Sequence, residues 1–160
     1  MTDFLDKLDA DLRAKRDRSD AIDELFQMSF CSDADTSERI AWLLAKMAQN
    51  KYADMRIHGI LMSMADSDPG TDENILWGLG ELAGTDIGDD ASFAFIKRKM
   101  ASEDAAVRGM AAWAAGRYKH RLGMSDPESE TILGSLLEDD SPLVRASAEF
   151  AVNDERVRDQ

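Results

Sequence analysis

Two stretches decide the fold: Glu38-Arg39-Ile40-Ala41-Trp42-Leu43-Leu44-Ala45-Lys46-Met47-Ala48 and Glu73-Asn74-Ile75-Leu76-Trp77-Gly78-Leu79-Gly80-Glu81-Leu82-Ala83. They align without a gap at a spacing of 35 residues, and the tryptophan recurs 36 residues later as Trp113 and 37 later again as Phe150. Two residues before each aromatic stand Ile40, Ile75, Ala111 and Ala148, and two after stand Leu44, Leu79, Ala115 and Val152. Seventeen before come Leu25, Ile60, Ile96 and Leu133, so every one of these register positions is apolar. A fixed period of this length marks stacked supersecondary units, and the apolar spacing within each unit is helical. The pattern predicts an all-α chain, folded as a short α-solenoid of four helix pairs.

Working outward, the pairs are expected at 20–31 with 36–49, 51–65 with 71–84, 89–101 with 104–119, and 127–138 with 141–153. The repeats thus span 20–49, 51–84, 89–119 and 127–153 of a single domain covering 1–160. An amphipathic helix at 3–17, with Phe4, Leu5, Leu8 and Leu12 at helical spacing, is expected to cap the first unit, and 154–160 reads as a charged tail. Thr36 and Thr71 read as N-caps before acidic first turns, and Pro142 suits a first helical position. Each short helix is marginal alone, and one pair cannot bury its own apolar stripe, so stacking must complete the core.

The second helices of units three and four sharpen this. Glu103-Asp104-Ala105-Ala106-Val107-Arg108-Gly109-Met110-Ala111-Ala112-Trp113-Ala114-Ala115-Gly116 and Asp139-Asp140-Ser141-Pro142-Leu143-Val144-Arg145-Ala146-Ser147-Ala148-Glu149-Phe150-Ala151-Val152 resemble the HEAT-like repeats first associated with phycobilisome lyases, whose second helix runs Asp-x-x-x-Val-Arg-x-x-Ala-x-x-Ala-Leu-Gly. Units one and two keep the spacing but carry Thr36-Ser37 and Thr71-Asp72 in place of Val-Arg. The resemblance covers about residues 20–153. It implies an array whose second helices line a concave side and which serves chiefly as a binding scaffold, and it says little about which partner is bound.

Composition removes several function classes. The 160 residues hold 19 Lys+Arg against 32 Asp+Glu, a net charge of −13, which repels phosphate backbones and lowers any expectation of nucleic-acid binding. No apolar run approaches the ~18 residues of a membrane span, and the N-terminus lacks the basic-then-apolar pattern of a signal peptide. One cysteine, Cys31, at the end of the apolar run Phe26-Met28-Phe30, excludes an internal disulfide framework and reads as a buried thiol; a cytoplasmic setting is expected. Residues 97–121 run against the total, with seven basic and two acidic side chains, but Lys97–Lys99 and Arg117–Arg121 end two antiparallel helices and complement their C-termini. His58 and His120 fall in different units, and Asp66–Asp72 has Thr71 and Trp77 where a calcium loop needs its Gly and final Glu. No catalytic residue, metal site or cofactor is expected.

The candidate working surface is the aromatic column. At 100° per residue each ring points away from the apolar positions two before and two after it, among polar or small neighbours. Trp42, Trp77, Trp113 and Phe150, with Glu38, Glu73, Glu81 and Arg117 beside them, would then line the concave groove over roughly 30 Å, at ~8–10 Å per helix. The competing reading seats each ring in the seam between adjacent second helices. The two agree if a ring packs along one edge and shows the other. Indole faces flanked by carboxylates favour cations, so the expected partner is a protein or basic peptide, with no nucleic acid or membrane and with the chain itself a monomer or weak homodimer. An acidic inhibitor or immunity-type protein that blocks a basic enzyme, and a lyase or chaperone for a tetrapyrrole-like ligand, are the alternatives.

Overall fold

The computed structural model describes residues 2–30 and 32–153. The expectations for Cys31 and for the tail at 154–160 therefore fall outside the described residues. Nine α-helices follow one another among those described: α1 (Thr2–Arg13), α2 (Ile22–Ser29), α3 (Ala34–Gln49), α4 (Met55–Met64), α5 (Asp72–Ala83), α6 (Asp90–Lys99), α7 (Ala105–Arg117), α8 (Pro127–Leu136) and α9 (Pro142–Val152). Short 3-10 turns at Ser19–Ala21 and Pro69–Thr71 lead into α2 and α5, and a π-helical turn, Tyr118–Leu122, extends α7.

Aspartate sets where most helices begin. Asp33, Asp54, Asp89, Asp104 and Asp126 accept backbone N–H groups at the starts of α3, α4, α6, α7 and α8, satisfying donors that the helix itself cannot. At α6 and α8 the cap is reciprocal, with Ser92 and Ser129 returning a hydrogen bond to the cap residue's N–H. Part of the chain's acidity is thus helix punctuation. Two expected caps are corrected. Thr36 lies inside the first turn of α3, where its N–H donates to Asp33 at 2.8 Å, and Thr71 makes no side-chain cap because its hydroxyl donates to the Asp68 carbonyl at 2.7 Å. The two aspartates reach the orphan N–H groups first.

Several helices stop at residues with left-handed backbone. Lys51 (φ 74°) follows α3, Asp86 (φ 66°) follows α5, and Gly123 (φ 68°) follows the π-turn. After α3 the N–H groups of Lys51 and Tyr52 return to the carbonyls of Ala48 and Met47, the closure that normally selects glycine.

The second helices α3, α5, α7 and α9 pack directly side by side in sequence order, whereas the first helices α2, α4, α6 and α8 meet their counterparts far less. A two-layer stack with one closely spaced layer curves toward that layer, which puts the second helices on the concave side. This is a short α-solenoid. Its core runs continuously along the stack, from Leu8 and Leu12 of α1 through Leu43, Leu44, Ile57 and Leu61 to Leu79, Phe95, Ala111, Tyr118 and Val144, all fully or almost fully buried.

The N-terminal helix closes the first unit. Leu5, Leu8 and Leu12 are buried, and Arg39 of α3 pairs with Asp6. Beyond its end, the Tyr52 hydroxyl accepts the Arg18 N–H at 2.7 Å and donates to the Arg16 carbonyl at 3.0 Å, while the Asn50 amide donates to the Leu12 carbonyl. Asp11, 3% exposed, gathers Arg16 and Arg18 at 2.7 Å each and Lys7 at 3.3 Å. Those hydrogen bonds, from Arg16 first and Arg18 next, hold its carboxyl down at about 2.

Two outcomes follow for stability. Asp11 is depressed in the folded state, so its contribution is fully present above the ordinary value of 3.8 and is lost as pH falls toward about 2. Asp11→Asn should lower the melting temperature at pH 7, with the gap to the native chain narrowing between pH 4 and pH 2. Lys51→Gly should stabilise the chain by about 1 kcal/mol in urea denaturation, because glycine removes the steric cost of the left-handed stop.

Candidate functional site

The aromatic column exists, and all four of its rings are half-buried. Trp113 and Phe150 each lean on the preceding second helix, at a glycine three positions after that helix's own aromatic. A Cβ on Gly80 of α5 would overlap the six-membered ring of Trp113, and a Cβ on Gly116 of α7 would stand 2.8 Å from the Phe150 ring and 2.8 Å from the Ala151 Cα. In the equivalent place of α3 stands the fully buried Ala45. The sequence reading turned these rings away from the core of their own unit. The structure adds the flank of the next second helix, which a side chain on an inner-layer helix meets on either side.

The individual neighbourhoods differ. Trp42 has the Arg13 guanidinium 4.8 Å above its ring and Trp77 at a centroid distance of 6.1 Å, tilted by 57°. The Trp77 indole N–H donates to Glu81 Oε2 at 3.2 Å. Arg117 stands 5.7 Å over Trp113 and donates through Nε to the Gly80 carbonyl at 3.1 Å, and burial lowers its pKa below the usual guanidinium value. Phe150 meets His120 edge-on at 4.9 Å, and His120 Nε2 donates to the Ala151 carbonyl at 3.2 Å. Glu81 and Arg117 are therefore seam residues with their polar groups turned inward, while Glu38 and Glu73 are exposed.

A cleft of about 260 Å³ opens on the concave side between α5, α7 and α9. Trp77 and Glu73 form one wall, Met110 and Trp113 the middle, and Leu143 and Ser147 the other wall, with Ala106 and Gly109 beneath. Trp42, Phe150 and Glu38 are not among its lining. The cleft exists because the position four before the aromatic is Glu38 and Glu73 in the first two units but Gly109 in the third. No side chain fills the floor there. Leu143, in the first turn of α9, stays 58% exposed at the edge. Sequence reading passed over Gly109, Met110, Leu143 and Ser147; the break in the Glu38–Glu73 register at Gly109 was the visible signal.

The basic stretch 97–121 has a different task. Lys97 bonds Asp126 at 2.7 Å, Arg98 bonds Asp66 at 2.8 Å, Lys99 reaches the buried Asp72 at 3.0 Å and Lys119 meets Glu130 at 2.9 Å. Arg108 forks onto Asp139 of the next unit through Nε and a terminal nitrogen, while its other terminal nitrogen holds the carbonyls of Ser102 and Glu103. Arg145 repeats that hold on the carbonyls of Asp139 and Asp140. All of these cations but Arg145, which braces its own unit, fasten adjacent units.

A serine–histidine–aspartate trio also forms, with His58 Nε2 3.0 Å from Ser92 Oγ and 3.5 Å from Asp89. Ser92 is fully buried as part of the α6 cap and also accepts the Tyr118 hydroxyl at 2.8 Å; burial pushes that phenol up to about 12. A nucleophile must reach its substrate, and this hydroxyl is sealed. Among the described residues no group of three or more His, Cys, Asp or Glu is placed to hold a metal, and no helix is long and apolar enough to cross a membrane.

Comparison with family models matches residues 59–153 to HEAT repeats, more than half of the chain. The chain belongs to the HEAT-repeat family. Its matched region begins within α4 and contains the whole cleft, so the units that form the site are the ones carrying the family's sequence pattern. The first unit and α1 lie before the match. No curated protein and no solved structure matches the chain. HEAT repeats are commonly protein-interaction scaffolds, and protein partners are what the fold suggests for this one.

The seam makes a direct prediction. Gly80→Ala places a methyl group in the Trp113 ring and should destabilise the chain by about 1–3 kcal/mol, despite the better helix propensity of alanine. Gly109→Ala, whose Cβ would meet Leu143 at no less than 3.4 Å, should leave stability unchanged or raise it by up to about 1 kcal/mol. Paired urea melts would distinguish the two.

Proposed function

We propose that the protein is a non-catalytic binding scaffold whose working surface is the concave cleft between α5, α7 and α9, with Trp77 and Trp113 as its principal contacts. The observation that carries this reading is the cleft itself: two indoles, a thioether and an exposed leucine surround a floor of Ala106 and Gly109. Tryptophan is enriched among the residues that dominate interface energies, and methionine supplies a surface that adapts to its partner. Arg13 on Trp42 and His120 against Phe150 cover the ends of the aromatic column, and of the two central rings that line the cleft Trp113 has Arg117 over it while Trp77 carries no cation among the described residues.

Size favours a partner's side chains over a small cofactor. About 260 Å³ lies below the ~300–1,000 Å³ common for small-molecule sites, and the cleft is open along one side. That dimension suits one or two inserted side chains of a protein or peptide, and it is too small for a tetrapyrrole.

Two variants test the assignment, with thermal melting to establish that each stays folded, because Gly109 is buried against Leu143 and Val144. Gly109→Leu fills the floor and Leu143→Glu puts a charge on the rim. Affinity capture with the native chain and both variants, each checked by thermal melting, should give partners retained by the native chain and lost by both. Partners held equally by all three would place the interaction on another surface and overturn the assignment.

A further inference from the structure

Two of the three indoles already carry an internal cation. The Arg13 guanidinium stands 4.8 Å over Trp42, and Arg117 stands 5.7 Å over Trp113. Trp77 lies between them in the column, and among the described residues no cation stands over it. Its indole N–H is committed to Glu81, so what it offers the cleft is ring surface and not a hydrogen-bond donor. The adjacent carboxylate, Glu73, lines the same cleft, is exposed, and pairs with no cation among the described residues. By contrast, Glu81 and the charged groups along the unit boundaries are engaged.

Resting on the cleft as the docking surface, we infer that it takes a guanidinium or ammonium side chain of a partner protein, stacked on Trp77 with Glu73 as counter-ion. The aliphatic stem of such a side chain lies along Met110 and Leu143, which supply apolar surface at the far wall. Charge complementarity selects the occupant twice over: a π face and a carboxylate both favour a cation locally, and the −13 net charge draws basic segments from a distance. The internal arginines show the same chemistry operating one ring to either side. An arginine or lysine in an otherwise extended or loop segment satisfies the site, and an acidic segment is repelled by it.

The test uses the three indole N–H signals of the full chain in nitrogen-15 NMR spectra, assigned with Trp42→Phe and Trp113→Phe. The probes are N-acetyl-arginine amide and N-acetyl-citrulline amide, which share a shape and differ in charge. The arginine probe should shift Trp77 saturably at millimolar concentration while Trp42, already covered by Arg13, stays in place. Citrulline should bind several-fold more weakly, and Glu73→Gln should weaken the arginine probe by about two- to five-fold. Equal response to citrulline, a uniform shift of all three indoles that ignores Glu73→Gln, or no response to the arginine probe would each overturn the inference. If partner capture stays sensitive to Gly109→Leu in that event, the cleft remains the docking surface and only its cation preference falls. If that sensitivity is also absent, both fail.

Discussion

The distance between neighbouring second helices governs everything else in this molecule. At Gly116 the backbone of α9 comes so near that a methyl group would sit 2.8 Å from the Ala151 Cα, and at Gly78 one would press on Leu61 and meet Ala45. Such approach is open only to glycine and alanine, which is why α7 contains almost nothing else between Val107, Met110 and Trp113. The close inner seam sets the curvature, leaves the outer helices farther apart, and gives Trp113 and Phe150 a flat bed on the preceding helix. The concave cleft is one more product of the same choice: it opens where the third unit uses glycine at a position the first two units give to glutamate.

Polar groups finish what packing begins. Aspartates start helices, and arginines and lysines of the third unit reach both neighbours. Most of these pairs are partly exposed, where an isolated ion pair contributes little. Their value lies in geometry: Arg108 joins a carboxylate of the next unit to carbonyls of its own turn, which fixes the rotation of one helix pair on another. Asp11 does the equivalent for the N-terminal helix, tying α1 through Arg18 to the turn that leads into α2.

Much of the architecture was legible because it is periodic. The 35- to 37-residue recurrence of the aromatics, with apolar residues at matching offsets, marked the chain as an all-α stack of helix pairs, and the described residues form a short α-solenoid. Less legible was anything that depends on a helix having three neighbours. The polar-looking face of Trp113 contains Gly109 and Gly116, and single-helix geometry reads small residues as exposed when here they are contact points between helices. Arg117 was illegible for the same reason, since it donates across the seam to a carbonyl that no spacing rule connects, whereas Glu81 takes the indole N–H of Trp77 one turn earlier on its own helix. The threonine caps failed on a smaller scale, because Asp33 and Asp68 each had a competing acceptor within reach.

The uneven spacing of the two layers has a mechanical side. The inner helices are already at contact distance and cannot come closer, whereas the outer helices are separated by gaps, one of which is an apolar hollow of about 300 Å³ between α2 and α4 bordered by Phe26, Gly59 and Ile60. The molecule therefore behaves like a fan whose ribs are riveted along one edge. Flattening or tightening its curve moves the outer helices while the rivets hold, so the stiffness of the whole superhelix is set by its sparsely filled face.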